Sequence, residues 1–225
     1  MSVTENQTPE IQDVSPAVIR RLPRYYRYLR ELMLKGQLRI SSAELAKLMN
    51  VTASQIRQDL NCFGGFGQQG YGYNISYLYA KISELLGVGE GYSGIIVGAG
   101  NLGRALVNSR MFEKRGVDII ALFDINEEII GKEVGGVTVY SMDDLESFSK
   151  ENSIDIAVIT VSRDAVSETV ERLVNAGIKG FWNFTSTEVK APHNDIVCEN
   201  IHMGDSLMTL CYNLRIKGNS KKEQQ

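Results

Sequence analysis

Between residues 15 and 86 the apolar positions fall at helical spacing in four runs, and beyond residue 92 they gather into short blocks separated by amphipathic stretches. Val18, Leu22, Tyr25, Leu29 and Leu32 recur every three or four positions. They predict a helix to about residue 35, with Ser15 as its cap and Pro16 as its first residue. Pro23 must kink the first turns or delay the start. Ser41-Ser42-Ala43-Glu44 is a capping box, and Leu45, Leu48 and Met49 are the stripe of a short second helix. Thr52-Ala53-Ser54-Gln55 is a second box, opening a third helix with Ile56, Leu60 and Phe63 inward. Residues 64–74 alternate glycine with aromatic side chains, which predicts a β-hairpin rather than a helix. A fourth amphipathic helix over 77–86 leads into a glycine-rich linker, 87–91.

After the linker, apolar blocks at 94–98, 118–124, 138–140, 154–161, 178–183 and 196–201 read as strands. Helical patterns lie between them, notably at 102–112, 143–151 and 165–176. Short apolar strands alternating with helices imply a parallel sheet covered on both faces. A last helix, about 206–216, carries Leu207, Leu210, Cys211 and Leu214 on one side. The pattern therefore predicts an α/β chain. A winged helix-turn-helix domain spans 15–87, a Rossmann-like doubly wound parallel sheet 92–203, and a C-terminal helix 204–218. Residues 1–14, polar and without pattern, are expected to be a disordered tail, and 219–225 a basic one.

Charge sharpens this division. The net charge of −3 over 225 residues hides an excess of nine basic residues over three acidic ones between residues 16 and 74. A basic module on an acidic body is the footprint of polyanion binding joined to something that need not bind nucleic acid. Cys62, Cys198 and Cys211 are scattered and form no metal or disulfide pattern, which fits a reducing cytoplasm without a metal site. No apolar run approaches the ~20 residues of a membrane helix and no signal-peptide pattern opens the chain, so a soluble protein without a membrane partner is expected.

The sequence Ile95-Ile96-Val97-Gly98-Ala99-Gly100-Asn101-Leu102-Gly103 is strand, glycine turn and helix start. Gly98 permits a tight turn, Gly100 lets a pyrophosphate approach the backbone, and Gly103 lets helix and strand pack closely. The helix start supplies free N–H groups for phosphate. Asp124 ends the next strand 21 residues beyond Gly103. An acid there hydrogen-bonds the adenosine ribose and repels a 2′-phosphate, which predicts NADH and NAD+ as ligands. Thr160 and Val161, and Asn183 on the following strand, end strands where ligands gather. They read either as nicotinamide contacts or as ordinary buried strand ends.

Two capped short helices and a hairpin make a winged helix-turn-helix. Its candidate DNA-binding residues are Ser54, Gln55, Arg57 and Gln58 on the third helix, Gln68, Gln69 and Tyr71 at the wing, and Arg21 and Arg24 on the first helix. Arg20, Arg24 and Arg27 share one helical face suited to phosphate, or to plain solvation.

Taken together, Arg21-Leu22-Pro23-Arg24-Tyr25-Tyr26-Arg27-Tyr28-Leu29, Gln55-Ile56-Arg57-Gln58-Asp59-Leu60, Gly70-Tyr71-Gly72-Tyr73-Asn74, the glycine loop and Phe123-Asp124-Ile125-Asn126 resemble the Rex family of redox-sensing transcriptional repressors, over about residues 15–218. The resemblance implies a homodimer that binds a palindromic operator when NAD+ dominates and is released when NADH binds. It also implies that the last helix swaps into the partner subunit. The family couples its sites through an arginine in the first helix, a tyrosine late in the glycine-loop helix and an acid before the last helix. Arg27 matches the arginine, whereas Ser109 and His202 (followed by Met203) stand at the other two positions. Gln58 and Gln68-Gln69 stand where the family usually has basic residues, and glutamine prefers adenine where arginine prefers guanine.

A dehydrogenase is the main rival reading, but it needs a second, substrate-holding domain where this chain has a winged helix. The two histidines, His193 and His202, show no base-and-orienter pattern, so no catalytic residue is assigned. A nucleotide-sensing subunit of a membrane protein would leave the winged helix without a purpose.

Overall fold

The computed structural model describes residues 14–63, 67–68 and 71–222. They belong to two compact units, one ending at Val88 and the other beginning at Gly89.

In the first unit Pro23 delays the helix rather than kinking it. A single turn, α1 (Pro16–Ile19), is followed by α2 (Leu22–Leu34), with Pro23 in the first turn where its missing N–H leaves no bond unmade. Next come β1 (Arg39–Ile40), α3 (Ser42–Met49), α4 (Ala53–Asn61), β2 (Gly67–Gln68), β3 (Gly72–Asn74) and α5 (Ile75–Leu85). The strands pair antiparallel in the order β1-β3-β2, the wing of a winged helix. The first capping box is complete: Ser41 Oγ accepts from the Glu44 N–H at 3.1 Å and the Glu44 carboxylate accepts from the Ser41 N–H at 2.8 Å. The second is half made. Thr52 Oγ1 accepts from the Gln55 N–H, but the Gln55 amide donates to Asp59 at 2.8 Å instead of returning to the cap. Tyr25, Leu29, Leu45, Met49, Ile56, Ile75, Leu78 and Ile82 close the core. Val14 packs against it, so the expected tail 1–14 loses its last residue, and 1–13 lie outside the described residues.

The second unit contains β4 (Tyr92–Val97), α6 (Asn101–Asn108), β5 (Val117–Asp124), β6 (Glu133–Val134), β7 (Val137–Ser141), α7 (Leu145–Glu151), β8 (Ile156–Ile159), α8 (Val166–Asn175), β9 (Gly180–Asn183), β10 (Val197–Asn200) and α9 (Met203–Lys222). Strands run in the order β10-β9-β8-β4-β5-β7-β6, parallel throughout except for the hairpin β6–β7 at one edge. The chain winds outward from β4 in both directions, so a crevice opens at the carboxyl ends of β4 and β8, where ligands bind in such sheets. Two apolar layers cover the faces, one with Phe123, Leu145, Leu173 and Phe181, the other with Phe112, Leu122, Val139 and Val158.

Most expected boundaries shift by one or two residues, and two helix ends move further. The helix foreseen over 102–112 ends at Asn108, because Ser109 Oγ donates back to the Leu106 carbonyl at 2.7 Å and Arg110 turns left-handed at φ 49°. The last helix, expected over 204–218 with a tail beyond, runs to Lys222, since a single glycine at 218 costs a helix only ~1 kcal/mol. In the single chain its Leu207, Met208, Leu210, Tyr212 and Leu214 are all more than half exposed.

Asp59, on the inner side of α4, is fully buried. It accepts hydrogen bonds from Arg21 Nε and Nη2, both at 2.7 Å, from the Tyr25 hydroxyl at 2.9 Å and from Gln55 at 2.8 Å. Burial pushes the Asp59 pKa up, but the bonds from Arg21, Gln55 and Tyr25 outweigh it and hold the carboxyl below its ordinary value. The folded pKa is therefore depressed, so the stabilisation is complete above the ordinary carboxylate range and is lost as pH falls through the folded value. Replacing Arg21 with Met should lower the protection of α4 amides from hydrogen exchange at pH 7 by about 3 kcal/mol, as expected for breaking a buried pair. It should also flatten the loss of protection on acidification. A change below ~1 kcal/mol would mean that Tyr25 and Gln55 suffice to hold the carboxylate.

Candidate functional site

A cleft of about 320 Å³ lies at the carboxyl ends of β4, β5 and β8, within the usual size of a small-molecule site. Among the expected dinucleotide residues, Gly98, Gly100, Asp124, Thr160 and Val161 line it. Gly98 turns the chain at φ 97°, and a Cβ there would meet the Thr160 carbonyl oxygen at 2.8 Å. At Gly100 an added Cβ would meet nothing within 4 Å, so this backbone stands open to the cleft. Helix α6 starts just beyond, with no side-chain cap on its first N–H groups. Open backbone, an uncapped helix start and an acid on the neighbouring strand fit the pyrophosphate and ribose of a dinucleotide.

Gly103, Ala99, Asn101 and Leu102 build the site without lining the cleft. Gly103 is buried against the Gly98 carbonyl, with Thr160 Oγ1 beside it. The Ala99 N–H donates to Asp124 Oδ2 at 2.6 Å, while Oδ1 accepts from the Asn126 N–H at 2.9 Å. Asp124 thus braces the glycine loop, and each oxygen keeps a lone pair for a further donor. Asn183 is not presented to the cleft. It is fully buried, its amide nitrogen donating to the Thr187 carbonyl and Asn200 Oδ1, and its oxygen accepting from the Thr185 N–H and hydroxyl. A buried amide must be satisfied internally, and this one brackets the loop that follows β9.

Sequence reasoning missed the far wall: Ile125, Met142, Ser162, Ala165, Glu168, Thr169 and Arg172. Arg172 on α8 donates to both Glu146 oxygens, at 3.0 and 2.8 Å, and to the Met142 carbonyl at 2.5 Å. That guanidinium ties α8 to the start of α7 and fixes the wall opposite Asp124. Its pairing with Glu146 raises its own pKa and lowers that of Glu146. Arg104 was also missed; its Nε donates to the Ala99 carbonyl at 2.8 Å, placing a cation at the glycine loop.

On the first unit, α4 presents Ser54, Arg57 and Gln58 to solvent, with Gln55 half-buried. Arg57 also donates to Ser42 Oγ at 3.2 Å, linking α4 to α3. Arg24 is half-buried and donates to the Met49 carbonyl at 2.6 Å, capping the end of α3. Arg21 departs from the expectation of DNA contact, because a buried carboxylate has to be paired and Arg21 supplies that pair at Asp59. Tyr71 stands exposed at the wing, with the Arg39 guanidinium 5.9 Å from its ring centroid. Arg39 therefore joins the basic face, a position that sequence left unassigned. Gln68 lies on β2, and Gln69 falls outside the described residues.

Of the expected coupling residues, Arg27 is exposed on α2 in the first unit. Ser109 caps the end of α6, and exposed His202 precedes Met203 at the start of α9, all in the second unit. Among the described residues no His, Cys, Asp and Glu cluster could hold a metal ion, and no helix is long and apolar enough to cross a membrane.

Residues 89–187 match the family described as "CoA binding domain", and residues 13–61 the one described as "Putative DNA-binding protein N-terminus". The chain is 49% identical to the redox-sensing transcriptional repressor Rex of Thermoanaerobacter sp. (strain X514), covering 93% of this chain and 96% of that protein. It is also 49% identical to Rex of Clostridioides difficile (strain 630), covering 89% and 95%. Among solved structures, RSP in complex with β-NAD+ and operator DNA superposes with a TM-score of 0.84 at 49% identity, covering 94% of this chain and 97% of that one. RSP with β-NADH gives 0.85 at 46%, covering 93% and 98%.

The brace at Asp124 leads to a two-part expectation for Asp124→Ala. The unaltered chain should bind NADH more than ~100-fold more tightly than NADPH, because a carboxylate beside a 2′-phosphate costs several kcal/mol. The variant should narrow that ratio and also bind NADH more weakly, since the Ala99 N–H loses its acceptor. Calorimetric titration of both nucleotides reads both effects. Equal affinities in the unaltered chain would remove Asp124 from the ribose site.

Proposed function

This chain belongs to the Rex family of redox-sensing transcriptional repressors, and from that premise we propose how its two units divide the work. It is a repressor rather than an enzyme, sensing the NADH/NAD+ state through the second unit and binding operator DNA through the first. One observation carries the reading: a single chain holds a winged helix with Arg57 and Gln58 exposed on α4, and a glycine loop opening an uncapped helix beside Asp124.

Within the second unit, Gly98, Gly100 and the start of α6 would hold the pyrophosphate, Asp124 the adenosine ribose, and Thr160 and Val161 the adjoining wall. Within the first, Ser54, Gln55, Arg57 and Gln58 would enter the major groove, Tyr71 with Arg39 the wing contact, and Arg24 the phosphate backbone. The bound dinucleotide does no chemistry here; its oxidation state is the signal. A ligand shifts a two-state equilibrium only by its differential affinity for the states. The DNA-released form must therefore hold NADH more tightly than the DNA-bound form, and DNA must weaken NADH binding by the same factor. We assign the coupling to Arg27, Ser109, His202 and Met203. With a serine hydroxyl and an imidazole where the family usually has a tyrosine and an acid, the coupling factor is expected toward the low end of ~5–150-fold.

The exposed apolar face of α9 supports a homodimer, the assembly that a palindromic operator requires. The cytoplasm is the compartment that such a repressor occupies. Truncation after Gly204 should leave monomers or aggregates in sedimentation velocity, and an intact dimer would remove α9 from the interface. The functional test is fluorescence anisotropy of operator DNA titrated with the full chain, alone and with saturating NAD+ or NADH. NADH should weaken DNA binding by at least ~5-fold and NAD+ should not. Unchanged affinity with either nucleotide would leave a DNA-binding protein whose cleft does not report redox state.

A further inference from the structure

Gln55 stands in the first turn of α4 and gives one amide N–H to Asp59 Oδ1 at 2.8 Å. The carboxylate it meets cannot yield. Asp59 is fully buried, and Arg21 Nη2 grips the same oxygen at 2.7 Å, while Arg21 Nε and the Tyr25 hydroxyl grip the other at 2.7 and 2.9 Å. A glutamine free in solvent can turn its amide by half a rotation, exchanging the places of donor and acceptor. Here that rotation would set the carbonyl oxygen against a carboxylate oxygen, two acceptors face to face. The group left over is thus one carbonyl acceptor and one N–H donor in a single fixed order. An acceptor beside a donor in the major groove is what adenine N6 and N7 require. A second observation points the same way. The amide is drawn inward although Thr52 at the cap and Gln55 three residues on would otherwise close a capping box, so half of a favourable helix start is given up for this contact.

We propose that Asp59 is a positioning residue for sequence readout, holding the Gln55 amide in one orientation so that Gln55 reads adenine at one position of each operator half-site. The inference rests on the DNA-binding reading of the first unit. Asp59 itself touches no base. Arg21 and Tyr25 hold it in place and keep it charged, which gives Arg21 a part in recognition without any contact to DNA.

The test uses the full-length chain and a duplex selected from a randomised palindromic library by the unaltered protein, together with its single-base variants. Asp59→Asn keeps the volume but presents either an oxygen or an N–H₂ to Gln55, so the amide is free to turn. Expected is a loss of roughly tenfold in the preference for adenine at one half-site position, the lower range for one bidentate contact. Preferences elsewhere and NADH affinity should be unchanged. Gln55→Ala should lose the same preference at the same position, and the double variant should lose no more than Gln55→Ala alone. A purely structural Asp59 would instead weaken all duplexes equally, which would overturn the proposal. So would additive losses in the double variant, or a Gln55→Ala chain with its base preferences intact. If Asp59→Asn lowers the thermal midpoint of the first unit below the assay temperature, Arg21→Lys carries the same cycle, keeping the charge while loosening the two-point grip. Failure of the unaltered chain to select any duplex would overturn the DNA-binding reading itself, a result distinct from all of these.

Discussion

Residue 103 has no room for a side chain: a Cβ there would lie on the Gly98 carbonyl oxygen, with Thr160 Oγ1 at 3.1 Å. That closeness lets α6 lie directly against β4, and the rest of the second unit's site follows from it. Because the helix begins at the strand's end, its unbonded N–H groups face the crevice between β4 and β8. The Thr160 hydroxyl donates to the Gly98 carbonyl at 2.7 Å, tying the end of β8 to the same turn. Asp124 completes the frame from β5 by accepting the Ala99 N–H. Three strands are thus fixed around one loop whose conformation only glycine permits at Gly98, where φ is 97°.

What the sequence revealed is what depends on near neighbours. Strand, glycine turn and helix occupy about a dozen consecutive residues, and Asp124 falls at the next strand's end, so the cleft's near side could be read directly. The helix starts at Ser41 and Thr52 were legible because caps are local chemistry. Arg21 was not, since its helical face is indistinguishable from a phosphate-binding stripe until Asp59, 38 residues on, is brought beneath it. Asn183 stayed open between a ligand contact and a buried strand end for the same reason: its partner Asn200 meets it only once β9 and β10 are paired. The cleft's far wall depends on Arg172 reaching Glu146 across two helices, a contact with no signature in either segment. Strands β1 and β6, two residues each, are too short for any period to register.

The basic face of the first unit is also less uniform than its charge count suggests. Arg24 spends one bond on the end of α3, Arg57 one on Ser42, and Arg21 is withdrawn to Asp59. Cations held this way have lost part of their rotamer freedom before any phosphate arrives, so less entropy remains to be given up on binding. In the proposed reading, stability and recognition are therefore built from the same side chains. With the DNA-binding roles proposed above for Arg24 and Arg57, a substitution at either would act on helix packing as well as on DNA contact, and only the sequence dependence of its effect would separate the two.

The second unit's sheet and its last helix are joined just as tightly. β10 ends at Asn200 and α9 begins at Met203. Between them the Ile201 N–H donates to the Asn183 carbonyl at 2.8 Å, so the connection is still bonded to β9 when it leaves the sheet. A two-residue connection spans no more than ~7 Å and has no slack to absorb a displacement. Asn183 and Asn200 tie the edge strand β10 to its neighbour β9 through their side chains, which adds stiffness where the helix departs. A helix with apolar residues around much of its surface needs cover from another surface. If a second copy provides that cover, any rearrangement of the sheet edge is passed to the partner through a rigid joint rather than a flexible linker. A two-state assembly requires such a joint, because a compliant one would let each subunit respond to its own nucleotide and leave its neighbour unchanged.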